Sequence, residues 1–507
     1  MERREIAAYL IIAAFGIAWA YYATQPNFGF GDETYYILAA RAYIANNFIP
    51  ATHIPNLYDT PLGGEPLAKP PLSYYIPALF LLIDDFLSAN LFVYKMFPPL
   101  FAVLTLLLVY RFAEKISYEV ALLSIVMVAS VPLITHFTII TYFDVPYMFF
   151  YTLAVIKIYE ALRGGDVKIA GVCLGLAFLC KESALFLVPA LAVYLILKND
   201  FSISKLLGSG ELRTAAAICV IGLLMIAPWW ARNYIVYGNP VYPFYPNVFG
   251  WKYLDELSYK VRMEIAAEPL TKVINYWRLE GYLGWFLFAG LFGVSYALVK
   301  KDYYFLSILS VGSLPIVLIG ARDIRYIMFL LPTAAFVSSK YIYECLKSVR
   351  YGTLLFYLLT VAFAAYTANM MLHEGPRIND LRHFPPGTLK AYEWIKHNTP
   401  EDSVVLDLFT PNMVYVTGRK GVFPHTCCCG DLWEFWKLPE DEMMRVLRNH
   451  NISYIVTENY FYLIPKELRW LAGWTHIPEE FIYLTNVSNH FKLVYNTPEV
   501  FIFKVEY

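Results

Sequence analysis

Charge is scarce in this chain, and its distribution decides the class. Asp, Glu, Lys and Arg make up 16% of the 507 residues, against roughly a quarter in soluble domains. The deficit is uneven: charges are sparse from Ile6 to about Leu372 and return to ordinary frequency from His373. A stretch so poor in charge excludes a chain that is soluble throughout. A net charge of −1 with no basic stripe excludes nucleic acid as a partner. The seven cysteines form no CxxC pair and show no Cys/His spacing of a structural metal site. Cys173, Cys180, Cys219 and Cys345 lie in apolar runs and read as small core residues. The run Cys427-Cys428-Cys429 stands apart, but adjacent cysteines pair poorly with each other, so any disulfide there has few partners.

Long apolar runs are what the chain has in abundance, with 58% apolar residues and a positive mean hydropathy. A membrane span needs about 17–25 mostly apolar residues. The runs at 6–23, 92–110, 118–136, 145–161, 168–180, 183–197, 213–230, 281–299, 303–320, 325–343 and 352–371 predict about 11 spans. The sequence Ala18-Trp19-Ala20 has the look of a signal-cleavage site, yet the run before it is long for a signal core, so a retained first span is expected.

Segment 72–88 is ambiguous, being short, interrupted by Pro77 and closed by Asp84-Asp85. The positive-inside rule resolves it. If 72–88 lies along the interface, the basic short loops Arg111–Lys115, Arg163–Lys168, Lys198–Arg213, Lys300–Asp302 and Lys340–Arg350 all face the cytoplasm. If it crosses, they all face out. The expectation is therefore a juxtamembrane helix, a cytoplasmic N-terminus, and a membrane domain of residues 1–372 with exterior loops 24–91 and 231–280. Residues 373–507 then form an exterior soluble domain.

That tail predicts a small α/β fold. Gly387–His397 has helical spacing; Ser403–Phe409, Met413–Thr417 and Ile452–Thr457 are short β-rich runs, and Phe491–Tyr495 with Val500–Val505 suggests a closing hairpin. Asn451-Ile-Ser453 and Asn486-Val-Ser488 are glycosylation-type sequons, consistent with an exterior location.

The polar residues that suggest chemistry fall at the exterior ends of spans, while the span centres carry few ionisable groups. A transporter places such groups near the midplane, so chemistry at the outer surface is favoured. Asp32-Glu33 follows the first span; the pair suits either a helix cap or a reactive carboxylate. Pro70-Pro71 fixes the backbone around Lys69, either to aim the ammonium or as a rigid lead-in to the interfacial helix. Asp144 in Asp144-Val-Pro146 opens the fourth span as a helix start or a cavity residue, and Lys181-Glu182 reads as a self-neutralising pair at an exterior tip. Arg322, Arg325 and Tyr326 put cationic and aromatic groups on the side the charge rule disfavours, so they read as an interfacial anchor paired with Asp323 or as ligands of a lipid phosphate. Arg232, at the exterior end of the seventh span, is placed to assist.

In this order and sidedness, Gly31-Asp32-Glu33-x-x-Tyr36, Lys69-Pro70-Pro71-Leu72, Asp144-x-Pro146 and Arg325-Tyr326 resemble the polytopic GT-C glycosyltransferases. The branch is that of the lipid A aminoarabinose transferases and protein O-mannosyltransferases. Gly175-Leu-Ala-x-Leu-x-Lys181, Pro228-Trp-x-x-Arg232-Asn233 and the stretch from Gly387 to Lys396 add to the likeness, which covers nearly the whole membrane part.

The resemblance implies a polytopic α-helical membrane protein with a small C-terminal α/β exterior domain. Its implied reaction is inverting transfer of a sugar from a polyprenyl-phosphate donor to a lipid, glycan or protein acceptor at the outer face of the bilayer. Asp32 is then the general base and Glu33 positions the acceptor or binds metal. Lys69, Arg322 and Arg325 meet the donor phosphate, with Asp144, Arg232 and Tyr326 lining the substrate cavity. A divalent metal ion, if the reaction uses one, draws on Asp32, Glu33, Asp144 or a residue of loop 231–280. Some aminoarabinose transferases carry an acidic residue where this chain has Ala68, which weakens the metal reading. The Trp-Trp-Asp-Tyr-Gly motif of oligosaccharyltransferases is absent, against transfer of a preassembled oligosaccharide to asparagine. The competing expectations are a lipid-sugar flippase and a non-catalytic binding relative.

Overall fold

The computed structural model describes residues 3–25, 32–58, 62–250, 256, 283–314, 324–381, 386–423, 432, 435–458, 485 and 488–507. Arg322, Asp323, Cys427–Cys429, Asn486, most of loop 231–280 and the side chain of Asp32 lie outside the described residues.

Along the chain, α1 (Arg3–Ala23) and α2 (Asp32–Ala45) precede a two-stranded ribbon of β1 (His53–Pro55) and β2 (Gly64–Pro66). Then come α3 (Leu72–Leu87), α4 (Phe97–Ala113), α5 (Tyr118–Ala129), α6 (Pro132–Ile139), α7 (Asp144–Ala161), α8 (Val167–Cys180), α9 (Leu187–Lys198) and α10 (Gly210–Tyr237). After these lie α11 (Phe286–Val299), α12 (Tyr303–Gly312), α13 (Leu331–Leu346) and α14 (Gly352–Leu381). The C-terminal part consists of α15 (Pro386–Asn398), β3 (Val404–Leu406), α16 (Thr410–Thr417), β4 (Lys420–Val422), α17 (Glu440–Asn449), β5 (Ile452–Glu458), β6 (Phe491–Asn496) and β7 (Val500–Val505).

The chain divides into two compact units. The first comprises Met1–Pro26, Lys69–Ala231 and Ile265–Asp380; the second comprises Asn27–Ala68, Arg232–Glu264 and Leu381–Tyr507. The sequence-based boundary at 372/373 thus falls inside α14, which runs on to Leu381 despite Pro376. Residues Asn27–Ala68 and Arg232–Glu264 join the tail in the second unit.

Among the described residues, four helices are long and apolar enough to cross a bilayer: Arg4–Ala23, Tyr94–Ala113, Gly210–Tyr237, whose last turns belong to the second unit, and Gly352–Ile378. The predicted span 118–136 is not one rod. It breaks between α5 and α6 with a 61° bend, because Pro132 lacks the amide that would continue the ladder and instead starts a new helix. Apolar side chains exposed on α1, such as Leu10 and Ile17, suit a helix facing lipid.

Glycines let helices approach closely. A Cβ on Gly171 would meet Ile221 Cβ at 2.6 Å, and one on Gly175 would meet Met225 Cβ at 2.8 Å, so α8 packs on α10 through a small-residue seam. Segment 72–88 forms the single helix α3, burying Ser73, Tyr74, Pro77, Ala78, Leu81 and Asp84 and exposing Leu79, Phe86 and Leu87. Asp84 ends that helix usefully: its carboxylate accepts from the amides of Leu91 and Val93, each at 2.7 Å, and so fixes the lead-in to α4.

Charged pairs gather where short basic loops join helices. Arg111 lies 3.8 Å from Glu5, and Glu160 accepts from Lys115 at 2.5 Å and from Lys157 at 2.8 Å. Asp144 opens α7 and Glu160 closes it, so the two charge clusters lie at opposite ends of a helix about 27 Å long.

The second unit is built on a five-stranded sheet of order β4-β3-β5-β7-β6. The β4-β3 and β3-β5 pairs are parallel, whereas β5-β7 and β7-β6 are antiparallel. Its core contains Leu406, Val422, Leu432, Phe435, Met443, Leu447, Ile455 and Phe503. The expected helix at 387–397 and the hairpin of β6 and β7 are present. Met413–Thr417 is a correction: despite its β-branched residues it belongs to a helix. Pro411 in the first turn and Gly418 in the left-handed conformation (φ +70°) mark that helix's start and stop.

Candidate functional site

The candidate residues fall into two groups, one in each unit. In the membrane unit the centre is Asp144, 5% exposed at the first position of α7. Lys181, at the junction after α8, reaches across 37 residues of sequence to donate to Asp144 Oδ1 at 2.7 Å. The neighbouring-pair reading of Lys181-Glu182 is therefore corrected: the ammonium turns to Asp144.

Burial works to raise the Asp144 pKa. Lys181, Arg325 and Lys69 more than offset it, so the carboxyl is held below its ordinary value. Burial likewise works to lower Lys181, and Asp144 with Tyr326 more than reverses it. Glu182 lies on the other side of the balance: burial pushes its carboxyl up, with Lys181 and Lys69 acting against.

Aromatic rings frame these cations. Lys181 Nζ lies 4.4 Å from the ring centre of Tyr326, and the Arg325 guanidinium lies 5.5 Å from that of Tyr142. Ser183 donates to the Tyr147 hydroxyl at 2.9 Å, bracing the junction on α7. Lys69 is exposed, and the turn at Pro70 and Pro71 is closed by Ser73 Oγ donating to the Pro70 carbonyl at 2.6 Å. Of the predicted cations, Lys69 and Arg325 thus act electrostatically on the same carboxylate. Lys181 is the functional candidate that the sequence reading passed over. Its signal was positional, since Asp144 and Lys181 both sit at predicted exterior ends of spans.

In the second unit, Asp32 opens α2 and Glu33 is buried, at 3% exposure. Arg232 has a different task from the one expected. Its guanidinium donates to the carbonyls of Ala51 at 2.5 Å and Leu67 at 3.0 Å, and to Asn233 Oδ1 at 2.8 Å. Asn233 in turn donates to the Ala68 carbonyl at 3.4 Å, and the Tyr237 hydroxyl to that of Thr52 at 2.6 Å. Arg232 clamps the two ends of the ribbon segment, a backbone-holding role.

Among the described residues, no three His, Cys, Asp or Glu side chains converge as a metal site. Asp144 does not fit a cation: a dication there would meet the positive charges of Lys181, Arg325 and Lys69.

Residues 68–231 match the family model described as dolichyl-phosphate-mannose-protein mannosyltransferase, a stretch that contains Lys69, Asp144 and Lys181. Comparison with curated proteins gives no sequence match. Among solved structures, the chain is similar to the archaeal oligosaccharyltransferase AglB of Archaeoglobus fulgidus in complex with an inhibitory peptide and a dolichol-phosphate. That likeness has 13% identity and a TM-score of 0.65, covering 94% of this chain and 72% of that one. The oligosaccharyltransferase of the same organism in complex with Zn and sulfate gives 14% identity and a TM-score of 0.66, covering 92% of this chain and 69% of that one. ArnT from Cupriavidus metallidurans bound to undecaprenyl phosphate gives 12% identity and a TM-score of 0.65, covering 98% of this chain and 97% of that one. The fold is that of the GT-C glycosyltransferases: a multi-pass helical membrane protein with a small C-terminal α/β unit.

Proposed function

We propose that this chain is a glycosyltransferase that moves a sugar from a polyprenyl-phosphate donor to a hydroxyl of a lipid, glycan or protein acceptor, with inversion, at the outer face of a membrane. The observation that carries the reading is the cation cluster on Asp144. Lys181 and Arg325 are held beside a buried carboxylate, with Lys69 acting on the same group, at one end of a membrane helix. An anion arriving there finds fixed positive charges, and cations preorganised in this way stabilise the charge of a leaving phosphate. The match over residues 68–231 supports the same donor class, as do the dolichol-phosphate and undecaprenyl phosphate bound to the similar structures. The chain spans nearly all of ArnT but leaves over a quarter of AglB uncovered, in keeping with the missing oligosaccharyltransferase motif.

In this reading Asp32 accepts the proton of the acceptor hydroxyl as its oxygen bonds to the anomeric carbon. The bond from that carbon to the phosphate oxygen breaks, and polyprenyl phosphate leaves against Lys69, Lys181, Arg322 and Arg325. Glu33 positions the acceptor, Tyr326 lines the donor site, and Asp144 orients Lys181. Arg232 serves the site by holding the ribbon segment. A divalent ion, if the reaction uses one, would be held by Asp32 and Glu33 and would supply charge neutralisation on the phosphate. In this reading the N-terminus is cytoplasmic and residues 373–507 lie outside, with about 11 spans and α3 along the interface, an orientation that the basic short loops support.

Asp32→Asn in purified protein supplied with a polyprenyl-phosphate sugar should bind donor normally and lose on the order of 10²-fold or more in transfer. Unchanged transfer would remove Asp32 as base. Loss of donor binding together with transfer would favour a binding role. A flippase instead predicts lipid-sugar movement in vesicles that Asp32→Asn leaves intact. For orientation, Glu440→Cys in a background lacking Cys427–Cys429 should react with an impermeant thiol reagent added outside cells.

A further inference from the structure

We propose that α16 positions the general base assigned above, through contact of Thr34 with Asn412; the inference rests on Asp32 holding that role. Thr34 follows Asp32 by two residues at the start of α2, is fully buried, and donates its hydroxyl to Asn412 Oδ1. Asn412 is 1% exposed in the first turn of α16. Seven residues after Thr34, two helical turns on and so on the same face, the Arg41 guanidinium lies 5.4 Å from the ring centre of Tyr415. Asn412 and Tyr415 are three apart and share a face of α16. Two contacts, two turns apart on α2 and one turn apart on α16, constrain both the separation of the helices and the rotation of α2 about its own axis.

The same segment is tied down again at its far end. The Tyr58 amide donates to the Gly421 carbonyl at 2.9 Å, and the Gly421 amide to the Asn56 carbonyl at 2.8 Å, in a parallel bridge at Leu57. The Asn56 side chain donates to the Gly418 carbonyl at 3.1 Å, and the Tyr58 ring lies 6.1 Å from that of Phe423. Residues 32–58 are thus held at both ends by residues 412–423, which lie more than 350 positions away in the chain.

The physical need is clear. A helix of 14 residues is marginal by itself, and a base misplaced by about 1 Å loses on the order of 10²-fold in rate. Residues 412–423 provide the seat that α2 cannot provide for itself. Thr34 and Asn412 are positioning residues, acting through α2 and not on the substrate.

The test uses the full chain and compares Thr34→Val, which keeps shape but removes the hydroxyl, with Thr34→Ser, which keeps the hydroxyl. Thr34→Val should lower turnover at least about tenfold with donor KM unchanged, and hydrogen exchange should quicken in residues 32–45 while β5 and β7 stay protected. Thr34→Ser should restore both turnover and protection. Unchanged turnover in Thr34→Val, with Asp32→Asn inactive, overturns the positioning role and leaves the base standing. Full activity of Asp32→Asn removes the base and this inference with it. Equal losses in Thr34→Val and Thr34→Ser, or exchange that quickens throughout the sheet, would also overturn the inference.

Discussion

Replacing Asp407 with asparagine should abolish a large pH dependence in the second unit. Asp407 follows β3 and is fully buried; its Oδ2 accepts from the Tyr392 hydroxyl at 2.9 Å. Among the described residues its Oδ1 has no hydrogen-bond partner. Burial pushes the carboxyl up from 3.8 to about 7, against the hydrogen bonds from Tyr392 and from the amides of Phe409 and Leu408. Unfolded, the group ionises near its ordinary value, and folded it keeps its proton to about pH 7. Within that window the folded chain binds more protons than the unfolded one, so stability falls as pH rises. The contribution is complete below about pH 4 and lost above about pH 7; at about 1.4 kcal/mol per pH unit this amounts to about 4 kcal/mol.

Asparagine cannot titrate, yet its side-chain oxygen still accepts from Tyr392. The assay is hydrogen exchange of β3, β5 and β7 in full-length protein from about pH 4.5 to about pH 7.5, corrected for intrinsic exchange, with wild type and Asp407→Asn in parallel. Wild-type protection should fall relative to the variant, by up to about 10³-fold in the exchange equilibrium if opening is global. Parallel pH profiles would refute the claim that this carboxyl is protonated in the folded chain. Because Asp407 accepts from α15 and its carbonyl accepts from Thr410 of α16, the same titration would loosen the seat of α2.

Gly421→Ala should destabilise the second unit by about 1–3 kcal/mol, seen as a lower melting temperature, because a Cβ there meets Val414 Cγ2 at 2.6 Å and Met413 Cε at 2.9 Å. Lys181→Met leaves the buried Asp144 without its direct partner and should cost the membrane unit about 3 kcal/mol in detergent unfolding. Donor affinity should fall in the same variant, and unchanged affinity would remove Lys181 from the phosphate site.

Much of the architecture was legible because it is written in local pattern. Apolar runs set helix lengths, a proline broke the third of them, and alternation marked β6 and β7. Where local pattern misled, at Met413–Thr417, β-branched residues outweighed the proline and glycine that bound the helix. The candidate site was legible as a set of exterior polar residues, but the identity of its pairs was not. Lys181 has Glu182 beside it in sequence, yet the turn after α8 aims its ammonium at Asp144 on α7. Arg232 reads in sequence as a residue assisting the substrate site, whereas its guanidinium donates to the carbonyls of Ala51 and Leu67.

What the sequence alone determined is the class of molecule, since a bilayer demands long apolar helices and any chain carrying them declares itself. The tertiary structure alone decided the partners: Lys181 with Asp144, and Thr34 with Asn412. Helix length and hydropathy are sums over neighbours in the chain. An ion pair or a buried hydrogen bond depends instead on distances of a few ångströms between residues far apart in sequence, and only packing sets those.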